Sequence, residues 1–180
     1  MSPKRCGHTR GKAVVDREEA FSRVRAAADA RDEGSDIVIL ARTDARATHG
    51  LDEAIHRAQR FADLGADILF VEAPEDENEM RMICESLPGP KMANMVEGGK
   101  TPILPPERLE SIGYKIAAYP LTVLSAAMKA MRDALEALRA GIHPDGALLE
   151  FEQLKQIVGF DRYYGEEVRY TAVPGTANQK

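Results

Sequence analysis

Short apolar segments alternate with longer amphipathic segments along most of the chain. The apolar segments are about five residues long and continuous rather than alternating, which is typical of strands buried on both faces of a parallel sheet. They lie at residues 36–41, 68–72, 91–95 and 115–119. Because parallel strands need a crossover of helical length between them, the pattern predicts four consecutive strand–helix units.

The intervals between these strands carry apolar residues at helical spacing, bounded by residues that begin or end helices. Asp16 is a candidate N-cap, with Glu19 three residues later in a capping-box arrangement. Gly65 is a candidate helix end, and Pro120 precedes a long helix with a Met-rich and Leu-rich stripe. The predicted helices lie approximately at residues 17–28, 51–62, 80–87, 105–113 and 121–140.

Two α/β architectures contain such a repeat: an open doubly wound sheet and part of a (β/α)8 barrel. A complete barrel needs about 250 residues, whereas this chain has 180. Four units would therefore form about half of a barrel. We expect one domain over residues 1–158 and a C-terminal tail over residues 159–180, because the last residues are polar and lack a periodic pattern.

Composition and charge argue against two classes of binding partner, nucleic acids and membranes. The chain is 44% hydrophobic, which is enough for a folded core, and its net charge of −5 argues against a nucleic-acid partner. No apolar run approaches the ~18–20 residues that cross a bilayer, so no membrane partner is expected. The polar N-terminus and the presence of only 2 cysteines indicate a reducing, cytoplasmic location.

Polar residues occur where three successive predicted strands end. Arg42 follows the first strand, Glu72 ends the second, and Asn94 lies in the third. Neighbouring strands are only ~5 Å apart, and ligand sites collect at the carboxyl edge of parallel sheets. We therefore expect these side chains to converge on a small anion, with the guanidinium gripping a carboxylate. The alternative is a structural ion pair between Arg42 and Asp44 or Glu72.

Two further motifs have competing interpretations. The Gly-Gly-Lys-Thr run at residues 98–101 is not a phosphate loop, because Asn94 occupies the position where that motif requires a glycine. Cys6 lies within a basic segment that ends at His8, and nearby positive charge favours the thiolate form. This arrangement indicates a reactive cysteine; the alternative is a cysteine that is incidental to a surface loop.

The order and spacing of these motifs resemble the isocitrate lyase / phosphoenolpyruvate mutase superfamily. The Lys-Arg-Cys-Gly-His segment is the most specific and marks the carbon–carbon lyase branch, which contains 2-methylisocitrate lyases and enzymes that cleave oxaloacetate or dimethylmalate. Phosphonate-forming mutases replace this cysteine, although several relatives carry the name carboxyvinyl-carboxyphosphonate phosphorylmutase. The matching segments are residues 4–8, 41–45, 71–74, 93–95, 100–102 and 119–121.

The resemblance implies the C-terminal half of a (β/α)8 TIM-type barrel that binds Mg²⁺ and cleaves a hydroxy or oxo di- or tricarboxylate through an enolate. It implies catalytic roles for Cys6 as the acid/base, for Arg42 as the residue that stabilises the enolate, and for Glu72 within the acid–base network. The substrate-binding residues that it implies are Gly7, His8, Arg42, Asn94, Thr101 and Leu121.

The chain departs from the family pattern before Met1. Family members carry further strand–helix units there, and those units supply the acidic metal ligands. We therefore expect no direct Mg²⁺ ligands in this chain and impaired catalysis by these 180 residues. The alternatives are a phosphonomutase and a non-catalytic fragment that needs a partner. The family also packs its last helices on a neighbouring subunit, which implies a homo-oligomer formed through the C-terminal helical region.

Overall fold

The computed structural model describes residue 11 and residues 13–171, and the chain divides into two compact units, Met1–Ala126 and Ala127–Lys180. The first unit alternates strands with helices, as the sequence predicts. Its elements are α1 (Arg17–Asp32), β1 (Leu40–Thr43), α2 (Arg46–His49), α3 (Leu51–Asp63), β2 (Ile68–Val71), α4 (Glu77–Ser86), β3 (Met92–Asn94), α5 (Pro106–Ile112) and β4 (Ile116–Ala118).

All strand pairs in the first unit are parallel and follow the order of the chain. β1 pairs with β2 and β3 pairs with β4. A parallel bridge between Leu69 and Lys91 connects β2 to β3. An open doubly wound sheet reverses its strand order at a switch point, whereas consecutive order is typical of a β/α barrel. The predicted α/β class with parallel strands is confirmed.

The start of β1 differs from the sequence-based expectation. The apolar run begins at residue 36, but the strand begins at Leu40 and includes Arg42. Its partner β2 begins at Ile68, and the backbone N–H groups of Asp67 and Ile68 both donate to the Ile39 carbonyl. Residues 36–38 thus extend beyond the end of the neighbouring strand. Strand length is therefore set by the partner as well as by the apolar run.

Local sequence signals fix several helix ends. The Asp16 carboxylate accepts the Glu19 backbone N–H at 2.8 Å, as the capping pattern predicts. Gly113 ends α5 in the left-handed region with φ of 117°. A Cβ at that position would lie 3.1 Å from the Cβ of Cys84, so both the backbone angle and the close packing of α4 require glycine there.

Two apolar clusters fill the interior of the first unit. The first lies between the β1–β2 pair and helices α3 and α4, and Phe61 meets Phe21 of α1 edge-on with ring centroids 6.1 Å apart. The second lies between β3 and helices α4 and α5, and includes Met80, Cys84 and Tyr114. Helix α4 contributes to both clusters, so it links the two halves of the strand array.

The C-terminal part of the chain is helical. It contains α6 (Thr122–Arg139), a 3₁₀ turn (Asp145–Ala147), α7 (Phe151–Val158) and α8 (Phe160–Tyr170). The long helix after Pro120 was predicted, but α7 and α8 were not. Gly159 adopts a left-handed conformation, and α8 begins directly after it, within the residues 159–180 for which the sequence predicts a tail. None of these helices contains a buried residue.

The structure gives no indication of a bilayer-crossing segment: within residue 11 and residues 13–171, every helix is too short or too polar to span a membrane.

Candidate active site

The side chains of Arg42, Glu72 and Asn94 meet at the carboxyl ends of β1, β2 and β3. The Arg42 Nη2 atom lies 3.2 Å from Glu72 Oε2. The Asn94 amide nitrogen lies 3.3 and 3.4 Å from the two oxygens of the same carboxylate. The three residues that the sequence placed at equivalent strand ends therefore form one cluster centred on Glu72.

Strand register explains how this cluster forms. Arg42 lies opposite Phe70 in the β1–β2 pair, and its guanidinium carbon is 4.9 Å from the centroid of the Phe70 ring. This distance allows a cation–π contact that orients the guanidinium. The Glu72 N–H donates to the Thr43 carbonyl at 3.0 Å, so the pairing of the backbones continues to the residue that carries the carboxylate.

Asp44 is the second acidic partner of Arg42. Its two carboxylate oxygens accept from Arg42 Nε at 2.8 Å and from Nη2 at 2.9 Å, in a bidentate arrangement. Asp44 is 7% exposed and Glu72 only 1% exposed. The ion pair that the sequence offered as an alternative is thus present beside the predicted cluster. Together, one guanidinium and two carboxylates carry a formal charge of −1, so binding of an anionic ligand here is favoured when a cation accompanies that ligand.

The acidic residues near the cluster do not amount to a metal centre. Across the described ranges there is no group of three or more His, Cys, Asp or Glu side chains placed to hold a metal ion. Asp44 and Glu72 are both engaged by the Arg42 guanidinium. Mg²⁺ often binds one or two carboxylates with waters completing an octahedron, so these two carboxylates would have to exchange the Arg42 guanidinium for the metal ion in order to hold it.

The structure does not place the remaining predicted site residues in the Arg42–Glu72–Asn94 cluster. Cys6, Gly7 and His8 lie outside the described residues. Thr101 is half-buried in the loop that follows β3, and Leu121 is exposed in the turn that follows β4. The structure thus brings together Arg42, Glu72 and Asn94, while the assignments of the other five residues rest on the resemblance.

The second cysteine is part of the core. Cys84 lies in α4 beside Tyr114, and burial raises the pKa of its thiol to about 11. At neutral pH this group is therefore a protonated, apolar side chain rather than a nucleophile. The sequence predicted an apolar helical position for Cys84, and the raised pKa of its thiol follows from the burial of that position.

Sequence reasoning missed a set of ion pairs beside the cluster. Arg46, at the start of α2, contacts Glu75 and Glu79, and Lys100 also contacts Glu75. The hydrogen bond from Lys100, followed by that from Arg46, holds the pKa of Glu75 below its usual value. All four residues lie in the segments that follow strand ends, but nothing in their spacing along the chain specifies which charges meet.

Several curated proteins are similar to this chain. The 2,3-dimethylmalate lyase of Eubacterium barkeri is 42% identical over 94% of this chain and 60% of its own length. The 2-methylisocitrate lyase of Bacillus subtilis is 36% identical, with coverages of 92% and 54%. The chloroplastic carboxyvinyl-carboxyphosphonate phosphorylmutase of Arabidopsis thaliana is 38% identical, with coverages of 94% and 51%. The chain thus spans about half to three-fifths of the length of these relatives.

Solved structures share the fold. Crystalline 2,3-dimethylmalate lyase superimposes with a TM-score of 0.85 at 34% identity, covering 98% of this chain and 60% of that chain. Oxaloacetate acetylhydrolase in complex with 3,3-difluorooxalacetate superimposes with a TM-score of 0.86 at 32% identity, covering 96% of this chain and 59% of that chain. Phosphonopyruvate hydrolase in complex with oxalate and Mg²⁺ superimposes with a TM-score of 0.75 at 26% identity, covering 91% of this chain and 60% of that chain.

The family profile described as phosphoenolpyruvate phosphomutase matches residues 4–139, which is most of this sequence. The matched region includes the three strand ends that form the Arg42–Glu72–Asn94 cluster, together with the cysteine segment at residues 4–8. By this match, and by the identity to the Eubacterium barkeri lyase, the chain belongs to the phosphoenolpyruvate mutase/isocitrate lyase superfamily.

Proposed function

We propose that this chain supplies the acid–base segment and the carboxylate-binding strand ends of a carbon–carbon lyase. The substrate class is a hydroxy or oxo di- or tricarboxylate similar to 2-methylisocitrate. The observation that carries the proposal is the meeting of Arg42, Glu72 and Asn94 at one edge of a parallel sheet. We also propose that the four strand–helix units are the C-terminal half of a (β/α)8 barrel, since their strand order is consecutive.

The chemistry assigned to this chain follows from its side chains. A base first takes the proton from the substrate hydroxyl, or from a hydroxyl of the hydrated substrate carbonyl. The adjacent carbon–carbon bond then breaks, a new C=O bond forms on one product, and the electron pair of the broken bond stays on the other product as a negatively charged enolate. Arg42 stabilises that charge as it develops, and the Asn94 amide donates to a substrate carboxylate. Both groups contact the Glu72 carboxylate in this structure, so a substrate carboxylate takes over part of the role that Glu72 performs here. The Cys6 thiol then delivers its proton to the enolate carbon.

The support for Mg²⁺ in this proposal comes from the relatives and not from the described residues of this chain. Phosphonopyruvate hydrolase was solved with oxalate and Mg²⁺. In this chain Asp44 and Glu72 are bound to Arg42, and the described part of the sequence holds no cluster of three metal-ligating side chains. The described residues therefore do not fit a direct Mg²⁺ site, and a bound Mg²⁺ would need its ligands from elsewhere.

A lyase assay with matched cysteine variants tests the proposed activity. The chain is purified alone and after co-expression with the part of the Eubacterium barkeri lyase that it does not match. Both are supplied with Mg²⁺ and with 2-methylisocitrate, 2,3-dimethylmalate or oxaloacetate. We expect weak turnover by the chain alone and stronger turnover by the assembly. We expect Cys6→Ser to abolish this turnover, while Cys84→Ser, which alters the buried thiol, leaves it within about threefold.

Two results would contradict the proposal. If the assembly forms but is inactive on all three acids, the proposed lyase activity is wrong. If Cys6→Ser keeps full activity, the proposed acid–base role of Cys6 is wrong. Robust turnover by the chain alone would instead show that these 180 residues are sufficient, contrary to the expected impairment.

A phosphonomutase is the second candidate activity. The Arabidopsis thaliana relative carries a phosphorylmutase name. Cys6 argues against this activity, since the resemblance places a cysteine there in lyases and a different residue in phosphonate-forming members. Phosphonopyruvate conversion that survives Cys6→Ser would favour the mutase.

The chain could instead act as a non-catalytic fragment that assembles with a partner. Apolar residues of α6 are exposed, and Met128, Met131 and Leu135 line an open groove of about 510 Å³ in the second unit. We propose that this surface forms a homo-oligomer through the C-terminal helices. Size-exclusion profiles with and without the full-length Eubacterium barkeri lyase test this; a stable monomer with normal lyase activity would rule out both the fragment and the oligomer.

A further inference from the structure

One carboxylate joins the loops that follow three successive strands. Arg46 lies just after β1, Glu75 follows β2, and Lys100 follows β3. Glu75 Oε1 lies 2.6 Å from Arg46 Nη1 and 3.0 Å from Lys100 Nζ. The same carboxylate oxygen therefore contacts both cations. Through these contacts, Glu75 connects the segments that follow β1, β2 and β3, at the edge of the sheet where Arg42, Glu72 and Asn94 meet.

Glu79 holds the backbone of the same turn. Its Oε2 atom accepts the Glu75 N–H at 2.9 Å and also accepts from Arg46 Nε at 2.9 Å. Arg46 is only 15% exposed and Glu79 20%, so their ion pair is screened less by solvent than an ordinary surface pair, whereas Glu75 and Lys100 are more exposed. Both the side chain and the backbone of Glu75 are therefore fixed relative to α2 and α4.

The turn that Glu75 holds has a strained backbone. Ala73 has a φ of 61° and is the only non-glycine residue with a positive φ in the described ranges. Such a conformation persists when the surroundings impose it, and it occurs often at functional sites. Ala73 directly follows Glu72, so this turn begins at the residue whose buried carboxylate contacts Arg42 and Asn94.

The loop after β3 is fixed on both sides. Lys100 connects it to Glu75. On the other side, the Thr122 hydroxyl, at the start of α6, donates to the Glu97 carboxylate. This loop begins just after Asn94 and contains Thr101, so its position affects both of the proposed carboxylate-binding residues.

We propose that Glu75 is a positioning residue that, through Arg46 and Lys100, keeps Glu72 and Asn94 in place for binding a carboxylate ligand. The inference rests on the proposed function for the identity of the ligand. Glu75 acts through the turn after β2 and the loop after β3, and it does not contact the ligand itself.

Isothermal titration of the purified chain with oxalate in the presence of Mg²⁺ measures this role. We expect Glu75→Gln to weaken oxalate binding about 5–10-fold and Lys100→Met about threefold, because misplaced binding groups lose affinity while the exposed pair itself adds little stability. Lys100→Arg preserves the ion pair and should restore binding to within about twofold. The double variant should bind no more weakly than Glu75→Gln, because both changes break the same connection.

Lys129→Met is the matched control, because Lys129 pairs with Asp133 on α6 and lies in the second unit. It should leave oxalate binding unchanged. Hydrogen exchange supplies a readout that needs no ligand: the backbone of residues 94–101 should exchange faster in Glu75→Gln and at the wild-type rate in Lys129→Met.

The results separate this inference from the proposed function. If the wild-type chain does not bind oxalate, the proposed carboxylate site fails, and the exchange of residues 94–101 still decides whether Glu75 fixes the loop. If the wild type binds and Glu75→Gln binds equally well, the positioning role is wrong. A purely structural role would lower the unfolding temperature of Glu75→Gln without changing its affinity for oxalate.

Discussion

Leu69 and Leu135 carry the same side chain in the two units of the molecule and have opposite surroundings. Leu69 in β2 is 2% exposed, whereas Leu135 in α6 is 67% exposed. Both lie in segments whose apolar pattern is clear from the sequence. The difference shows that a periodic pattern identifies the apolar face of an element but not what covers that face. In the first unit the covering groups come from neighbouring strands and helices of the same chain.

The largest expected effect tests this contrast directly. Leu69→Ala should lower the free energy of unfolding by about 3–4 kcal/mol, because it leaves a cavity in a packed cluster. Leu135→Ala should change it by less than about 0.5 kcal/mol in a dilute monomer, because the side chain is already hydrated. Urea denaturation followed by circular dichroism measures both. Equal losses in the two variants would show that the helical face of α6 is covered in solution.

An arginine with buried acidic partners and one with an exposed partner provide the next comparison. Arg42→Met keeps an aliphatic chain over Phe70 but removes the cation shared by Asp44 and Glu72, and should cost about 2–3 kcal/mol. Arg132→Met removes an exposed guanidinium that contacts Asp133 and should cost less than about 0.5 kcal/mol. Thermal unfolding of the two variants side by side measures the difference. A loss of stability in Arg42→Met no larger than that in Arg132→Met would contradict the geometry of the cluster.

A third comparison uses pH. Hydrogen bonds from Arg17, and then from Arg57, lower the pKa of Glu53 to about 2. A carboxyl with a lowered folded-state pKa stabilises the protein above its unfolded pKa of about 4.3 and loses that contribution as the pH falls through the folded-state value. Glu53→Gln should therefore cost about 1–2 kcal/mol at pH 7, after allowance for the exposed Arg17, and progressively less between pH 4 and pH 2.

The control for this pH dependence is Glu152→Gln in α7. Glu152 is exposed and pairs with Lys155 within the same helix. Its substitution should change the free energy of unfolding at pH 7 by less than about 0.5 kcal/mol. If Glu53→Gln destabilises the protein equally at pH 7 and at pH 2.5, the ion pairs of Glu53 do not contribute as described.

The smallest expected effect is at an exposed helical pair. Lys129→Met breaks the contact with Asp133 four residues later and should change the stability by about 0.3–0.5 kcal/mol. High salt should reduce the difference, because the pair is exposed to solvent. Chemical denaturation at low and high sodium chloride measures it. A loss above 1 kcal/mol would indicate that this surface of α6 is covered by another molecule.

The sequence predicted the parts of the fold that depend on neighbours along the chain. The capping of α1 by Asp16 and the carboxyl ends of the strands follow from residue types and apolar runs. The ends of the runs also located Arg42, Glu72 and Asn94, because parallel strands finish at one edge. Strand β1 was the least predictable: its apolar run covers residues 36–41, but the strand is Leu40–Thr43 because its partner β2 begins at Ile68.

The remaining features depend on groups that are distant in sequence. The contact of Glu75 with Arg46 and Lys100 joins three loops, and no spacing rule selects those partners. The left-handed backbone at Ala73 carries no local signal such as glycine. Helix α7 is a different case, since its apolar residues occur at helical spacing and Gly159 marks its end, so local sequence is sufficient to predict it.

A crystal structure of this chain grown with oxalate and Mg²⁺ is the most direct test of the proposed site. The account predicts oxalate at the carboxyl edge of the sheet, with its oxygens within hydrogen-bond distance of the Arg42 guanidinium and the Asn94 amide. Oxalate bound elsewhere, or Arg42 and Asn94 on opposite faces of the sheet, would contradict the account.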